Sequence, residues 1–296
     1  MTQNPVYALI TGCSSGIGKQ LALEFAARGV IVLATARNTR SLDDLTSRHK
    51  NIEAIPLVLD DPKSIEKLKD VVAERTNNSL DFLVNNAGTH YAATAIDLDL
   101  TEVTKLFQVN VFAIMHLCQI FSPLLRRSHH RKIVQIGSVT RDVPMVWQCA
   151  YNASKAALSQ YTKTLRLELQ PFGVEVIEVV TGFVRSNILH HGLHAPEGSP
   201  YLAIKDVIED FKYRGNANGM PTETYARSVV SKLMKSKTNP EIWEGALAWT
   251  LWALVTLLPR KLLHILVFYK FKLSRLTIIR NATTKEDALI TSTKSP

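Results

Sequence analysis

The stretch YNASK places Tyr151 and Lys155 four residues apart at the head of a helical pattern, ASKAALSQYTKTLRLEL, so both side chains share one helix face. An ammonium beside a phenol favours the phenolate and draws a group of free pKa about 10 toward neutrality. Tyr151 can then exchange a proton with an alcohol or ketone oxygen at cellular pH. Thirteen residues upstream, Ser138 ends the apolar run KIVQIGS, where its hydroxyl would emerge at the ligand edge of a sheet and hydrogen-bond an oxygen that gains charge. A Y-x-x-x-K pair on its own is an ordinary surface pattern. With Ser138 it outlines an acid–base site for carbonyl chemistry.

Residues 11–18, TGCSSGIG, carry a second candidate that reads two ways. Gly12-Cys13-Ser14-Ser15-Gly16 fits the G-x-S-x-G elbow of a serine lipase or esterase, with Ser14 as nucleophile. Gly12, Gly16 and Gly18 instead make a glycine-rich turn, with Ser14, Ser15 and Ile17 in it, where the phosphates of a dinucleotide approach the backbone. Chain order favours the turn. A hydrolase elbow follows several strands, because an earlier loop supplies part of the oxyanion hole, yet only eleven residues precede Gly12. The second apolar run ends ATAR, with no carboxylate to hold a ribose 2′-hydroxyl, and Arg37 can pair with a 2′-phosphate. This predicts NADP(H) as cofactor and reduction as the working direction.

These residues need elements to position them, and the apolar pattern supplies a set. Runs at residues 6–11, 30–35, 52–59, 80–86, 132–138 and 174–180 are rich in Val, Ile and Leu and alternate with helical patterns. They predict an α/β chain: a Rossmann-like, doubly wound parallel sheet of six to seven strands with helices on both faces. With 46% hydrophobic and 21% charged residues among 296, disorder is excluded as the default state. Cys13, Cys118 and Cys149 are far apart and form neither a metal spacing nor a disulfide framework, as in a reducing compartment. The run at 6–11 is too short for a signal peptide, so the chain is expected to face the cytosol.

TGxxxGxG at the first strand, NNAG at residues 85–88, Asn110, Ser138 and YxxxK form a set that resembles the short-chain dehydrogenase/reductase family over residues 5–235. The resemblance implies that Tyr151 is the proton donor and acceptor and that Ser138 positions the carbonyl. It implies that Lys155 also binds the nicotinamide ribose, and that Asn110 holds a water joining Lys155 to a proton relay. Asn86, Ala87 and Gly88 would stabilise the sheet beside the adenosine, Asp60 would contact the adenine, and Thr181-Gly182 stands where most of the family has Pro-Gly. The chain is most similar to fungal NADPH-dependent 1-acyldihydroxyacetone-phosphate reductases and to related reductases of secondary metabolism. The resemblance thus implies a lipophilic ketone/alcohol pair, either a lipid phosphate or a polyketide or terpenoid intermediate. A scaffold that binds the nucleotide without turnover is the non-enzymatic alternative.

Arg141, Met145 and Trp147, between Ser138 and Tyr151, are the candidate substrate contacts: Arg141 for an anionic head group, Met145 and Trp147 for a bulky apolar body. A catalytic domain is expected over 1–240, with a substrate lid near 186–221, and an apolar, basic extension over 241–296. Six of the nine excess positive charges lie in residues 260–296. The uncharged 14-residue run GALAWTLWALVTLL is too short to span a bilayer. With Trp249, Trp252 and the basic flank it is expected to lie in a membrane or lipid-droplet surface, as on the endoplasmic reticulum. A core or dimer helix is the alternative, and a homodimer or homotetramer is expected from the resemblance. No nucleic-acid motif is visible. His190, His191 and His194 have a zinc-like spacing but no nearby carboxylate, so no metal is expected.

Overall fold

The computed structural model describes residues 5–186 and 196–281. Six apolar runs become β1 (Tyr7–Ile10), β2 (Ile31–Ala36), β3 (Ile52–Pro56), β4 (Phe82–Asn85), β5 (Lys132–Ile136) and β6 (Glu175–Thr181), and β7 (Glu241–Glu244) adds an edge. The order is β3-β2-β1-β4-β5-β6-β7, with every pairing parallel. The order reverses between β1 and β4, so the connections leaving those strands go to opposite faces and open a crevice at their C-terminal ends.

β7 corrects the expected start of the extension at residue 241. Its EIWE is short and half acidic, with no apolar run to announce it, yet β6 templates it from Glu178↔Glu241 to Thr181↔Glu244. The sheet therefore extends past residue 240.

Alternate strand residues face opposite layers because side chains in a strand point up and down in turn. Ala8, Ile10, Val32, Ala34, Phe82 and Val84 pack with α1 (Gly16–Ala27) and α8 (Thr222–Leu233). Leu9, Leu33, Leu83 and Ile133 pack with α3 (Pro62–Arg75), α5 (Ala113–Leu125) and α6 (Cys149–Leu169). A short α2 (Asp43–Arg48) leads into β3, and α4 (Leu100–Phe107) runs into α5 through a π turn at Gln108–Phe112. Local chemistry sets the starts: Asp61 caps α3 by accepting from the Lys63 amide, with Pro62 at the first position, and Asp99 caps α4. Beyond residue 195 come a 3-10 turn (Pro200–Ile204), α7 (Lys205–Ala217), and after the sheet α9 (Ala248–Leu257) and α10 (Arg260–Lys270). Residues 187–195 of the expected lid lie outside the described residues.

One polar knot lies inside this apolar frame. The fully buried Glu178 of β6 pairs with the Arg141 guanidinium and accepts from the Ser159 hydroxyl of α6 at 3.0 Å. Arg141 also forks onto Glu241 of β7 at 2.9 and 3.0 Å and onto Asp142 at 2.8 Å. Its side chain is 5% exposed. The expectation that Arg141 meets an anionic substrate is thereby overturned: three carboxylates hold it behind the site. Replacing Arg141 with Met leaves Glu178 buried and uncompensated, and should lower unfolding stability in urea by about 3–5 kcal/mol. Adding Glu178→Gln should recover part of that loss, and a loss under about 1 kcal/mol would refute the knot's structural weight.

Candidate active site

The glycine turn sits between β1 and α1 at the crevice. Gly12 and Gly16 take φ of +72° and +56°, a region that side chains other than glycine's rarely adopt. At Gly18 a Cβ would come within 2.2 Å of the Gly12 carbonyl oxygen and 2.4 Å of Asn86 Nδ2. Asn86 braces the turn, its Nδ2 donating to the Thr11 and Gly12 carbonyls at 2.8 and 3.2 Å. The Thr11 hydroxyl in turn accepts from the Asn86 and Ala87 amides at 3.0 and 2.9 Å. Ser15 is the extended N-cap of α1, and its side chain makes no capping bond, so the first-turn amides stay available to an anion.

From this turn a cleft of about 900 Å³ runs in two directions. One end is lined by Ser14, Ile17, Arg37 and Asp60, and Arg37 is exposed there. The other is lined by Gly88, Ser138, Tyr151, Lys155, Thr181 and Gly182, then by Met145, Val146, Trp147, Phe183 and Ile208. Arg141 is the one expected substrate contact that does not line it.

Tyr151 and Lys155 lie on the first turns of α6, which faces the end of β5. Ser138 is nearly buried; its oxygen accepts from the Thr140 amide and hydroxyl at 3.2 and 3.0 Å and is in hydrogen-bond contact with the Tyr151 phenol. The proton balance differs from the sequence expectation. Burial pushes the Tyr151 phenol up to about 12, opposed by Ser138, and burial pushes the Lys155 ammonium down to about 8, opposed by the negative charge of Glu178. Lys155 Nζ donates to the Ile136 carbonyl at 2.9 Å and lies 5.8 Å from the phenol ring centre. Desolvation penalises both charged forms, so Tyr151 is held as a protonated donor and Lys155 carries the charge that titrates near neutrality.

Asn110 falls in the π turn, a local widening of the helix that recurs at functional sites. Fully buried, it accepts from the Thr89 amide and donates to the Thr89 carbonyl, both at 2.9 Å, and reaches Ser154 of α6 at 3.2 Å. It thus pins the loop after NNAG to the catalytic helix. The Thr181 hydroxyl shares a 2.6 Å hydrogen bond with Tyr225 of α8.

Among the lining residues that escaped the sequence reading, two pair with each other beside Tyr151. The His90 ring lies 4.8 Å from that of Tyr151, and its Nε2 pairs with Gln148 Oε1 at 3.0 Å. Their signal was position alone, His90 two residues past NNAG and Gln148 three before Tyr151. Among the described residues no group of His, Cys, Asp and Glu could hold a metal ion, and His190, His191 and His194 lie outside them.

The short chain dehydrogenase family model matches residues 6–195. The chain belongs to the short-chain dehydrogenase family. It is an oxidoreductase, and both the hydrolase reading of Ser14 and the inert-scaffold reading give way to this. It is 41% identical to the short-chain dehydrogenase virD of Hypocrea virens over 83% of this chain and 85% of that one. It is 40% identical to the NADPH-dependent 1-acyldihydroxyacetone phosphate reductase of Schizosaccharomyces pombe over 68% and 70%. Among solved structures, a short-chain dehydrogenase from Sphingobium yanoikuyae in complex with NADPH superposes with a TM-score of 0.65, at 25% identity over 80% of this chain and 87% of that one.

The Lys155 value sets a pH dependence. Its folded pKa of about 8 lies below the free value of 10.5, so the ammonium that supports a phenolate is present below about pH 8 and lost above it. Carbonyl reduction should therefore fall as pH rises through about 8. Tyr151→Phe should lower kcat by roughly 10²–10⁴-fold. A kcat/KM profile of the unaltered protein that stays level from about pH 6 to 10 would show that the Lys155 charge is not used.

Proposed function

We propose that the chain is an NADP(H)-dependent reductase that interconverts a bulky, lipophilic ketone and its secondary alcohol. The carrying observation is one cleft that joins the glycine turn and Arg37, through Ser138, Tyr151 and Lys155, to the apolar wall of Met145, Val146, Trp147, Phe183 and Ile208. The residues fit a dinucleotide: Gly12 and Gly16 take left-handed φ and Gly18 packs tightly under the Gly12 carbonyl, which keeps the turn compact, the α1 amides receive no side-chain cap, and the exposed Arg37 suits a 2′-phosphate. Asp60, Asn86, Ala87, Gly88, Thr181 and Gly182 line the same path. The nicotinamide, when bound, supplies hydride to the carbonyl carbon. Ser138 then donates to the carbonyl oxygen, Tyr151 delivers the proton to it, and Lys155 stabilises the phenolate left behind.

Two substrate classes were open, and the commitment of Arg141 favours one. An anionic head group loses its expected partner, because Arg141 is saturated by Glu178, Glu241 and Asp142. Lys105, another cation on the cleft, is held by Glu102 at 2.8 Å. A large uncharged ketone, such as a polyketide or terpenoid intermediate, therefore fits better than a lipid phosphate. The test is NADPH and NADH oxidation against steroid and polyketide ketones and 1-palmitoyl-dihydroxyacetone phosphate. Expected are turnover of the neutral ketones with NADPH, and a loss of roughly 10–100-fold in kcat/KM for NADPH in Arg37→Glu. Preference for NADH, or no turnover of any carbonyl, would overturn the proposal.

We further propose that the extension rests on a lipid surface facing the cytosol. Trp249 and Leu257 of α9 and Leu266 and Tyr269 of α10 are exposed, beside Arg260, Lys261, Lys270 and Lys272. Helices of 10 and 11 residues suit lying in the interface rather than crossing it. A homodimer or homotetramer would cover Leu100, Phe112 and Leu167, which are exposed on the helices flanking the site. Vesicles containing phosphatidylserine should carry the protein upward in flotation, less so at high salt and less with Trp249→Ala/Trp252→Ala. Protein that stays at the bottom of the gradient would refute the lipid contact.

A further inference from the structure

One wall of the cleft is formed by Met145, Val146, Trp147 and Gln148, a short loop before the catalytic helix that is supported on two sides. On one side the catalytic helix holds it: Asn152 Nδ2 donates to the Met145 carbonyl at 2.7 Å, and Gln148 Nε2 to Asn152 Oδ1 at 3.0 Å. On the other side lies the extension. Trp147, which lines the cleft, meets the Phe271 ring edge-on, with centres 5.3 Å apart and planes at 84°. Phe271 follows α10 and is 2% exposed. Val143, Met145, Ile204 and Ile208 complete a separate apolar cluster around the pair, with Val267 and Leu276 of the extension against it.

The Trp147 backbone gives the contact its weight. Its φ of +64° is a left-handed conformation that a bulky side chain adopts only where surrounding packing over-determines it. The Phe271 contact comes from a segment none of whose described residues lines the cleft. An exposed ion pair, Arg275 to Asp206 at 3.1 Å, links the same segment to α7.

We propose that Phe271 is a specificity-determining positioning residue, which holds Trp147 as the wall of the substrate end and so sets the bulk of ketone accepted. The inference rests on the reading of the cleft as a site for a lipophilic ketone, and it makes the C-terminal extension part of substrate selection. Removing the ring lets Trp147 relax from its strained backbone, which changes the shape of the ketone end and leaves the glycine turn and Arg37 untouched.

The experiment uses the full chain with NADPH, cyclohexanone as small probe, and androstenedione and 1-palmitoyl-dihydroxyacetone phosphate as bulky probes. Phe271→Ala should change KM for the accepted bulky probe by about tenfold or more while kcat, the NADPH Kd and cyclohexanone turnover stay within about threefold. Phe271→Leu should restore most of the change. Phe271→Ala combined with Trp147→Ala should resemble Trp147→Ala alone, since one acts through the other. The inference is overturned if Phe271→Ala leaves bulky-ketone KM unaltered, if the two substitutions add independently, or if NADPH binding and both ketone classes fall together. An unaltered protein that binds NADPH but neither binds nor reduces any of the three probes overturns the reading of the site, and this inference with it.

Discussion

A single buried carboxylate ties the architecture together. Glu178 sits in the middle of β6 with no exposure, where an ionised group is tolerated only if surrounding donors replace its water. Arg141 comes to it from the loop after β5, and Ser159 from α6 one turn beyond Lys155. Through Arg141 the charge reaches Glu241, so the edge strand joins the same network. A Cβ at Gly137 would stand 2.5 Å from Glu178 Oε1 and 3.1 Å from its Cγ, so glycine before Ser138 lets the strand end lie this close to the carboxylate as it is placed. The network therefore fixes the separation between the strand that presents Ser138 and the helix that presents Tyr151 and Lys155. Glu178 Oε1 finds no hydrogen-bond partner among the described residues, so Arg141 and Ser159, both bonded to Oε2, carry the compensation that joins four elements.

Desolvation then assigns the proton roles. The enclosure that aligns Ser138 with Tyr151 also makes the phenolate costly, so the phenol is held in its donor form. The same enclosure loosens the Lys155 proton, while the negative charge of Glu178 beneath the helix partly restores it. The carboxylate that shapes the site is thus also the counter-charge that keeps its lysine ionised near neutral pH. Asn110 performs a parallel task with neutral groups, spending its amide on the Thr89 backbone and Ser154 so that the loop after NNAG cannot drift from the catalytic helix.

Beyond the frame, the proposed substrate end of the cleft is built from parts far apart in the chain. Trp147 lies just before the catalytic helix, Ile208 on α7, and Phe271 after α10, and they meet in a cluster separate from the two cores that flank the sheet. On the proposed function, chemistry stays on the rigid sheet and shape selection falls to this peripheral layer.

The sequence by itself determined what depends on neighbours within a few residues or on a strict period. The glycine turn, the i, i+4 pairing of Tyr151 with Lys155, Ser138 at a strand end and the six apolar strands are all local statements. Only the tertiary structure decided what depends on distant partners and on burial. Arg141 reads as a free cation because two of its three carboxylate partners, Glu178 and Glu241, stand 37 and 100 residues away. β7 was invisible because EIWE forms a strand only where β6 offers an open edge. The phenol read as acidified because spacing reports that a lysine is near, whereas its pKa follows from how much water both groups lose. Charge and solvation are properties of the assembled surroundings, and no stretch of sequence carries its surroundings with it.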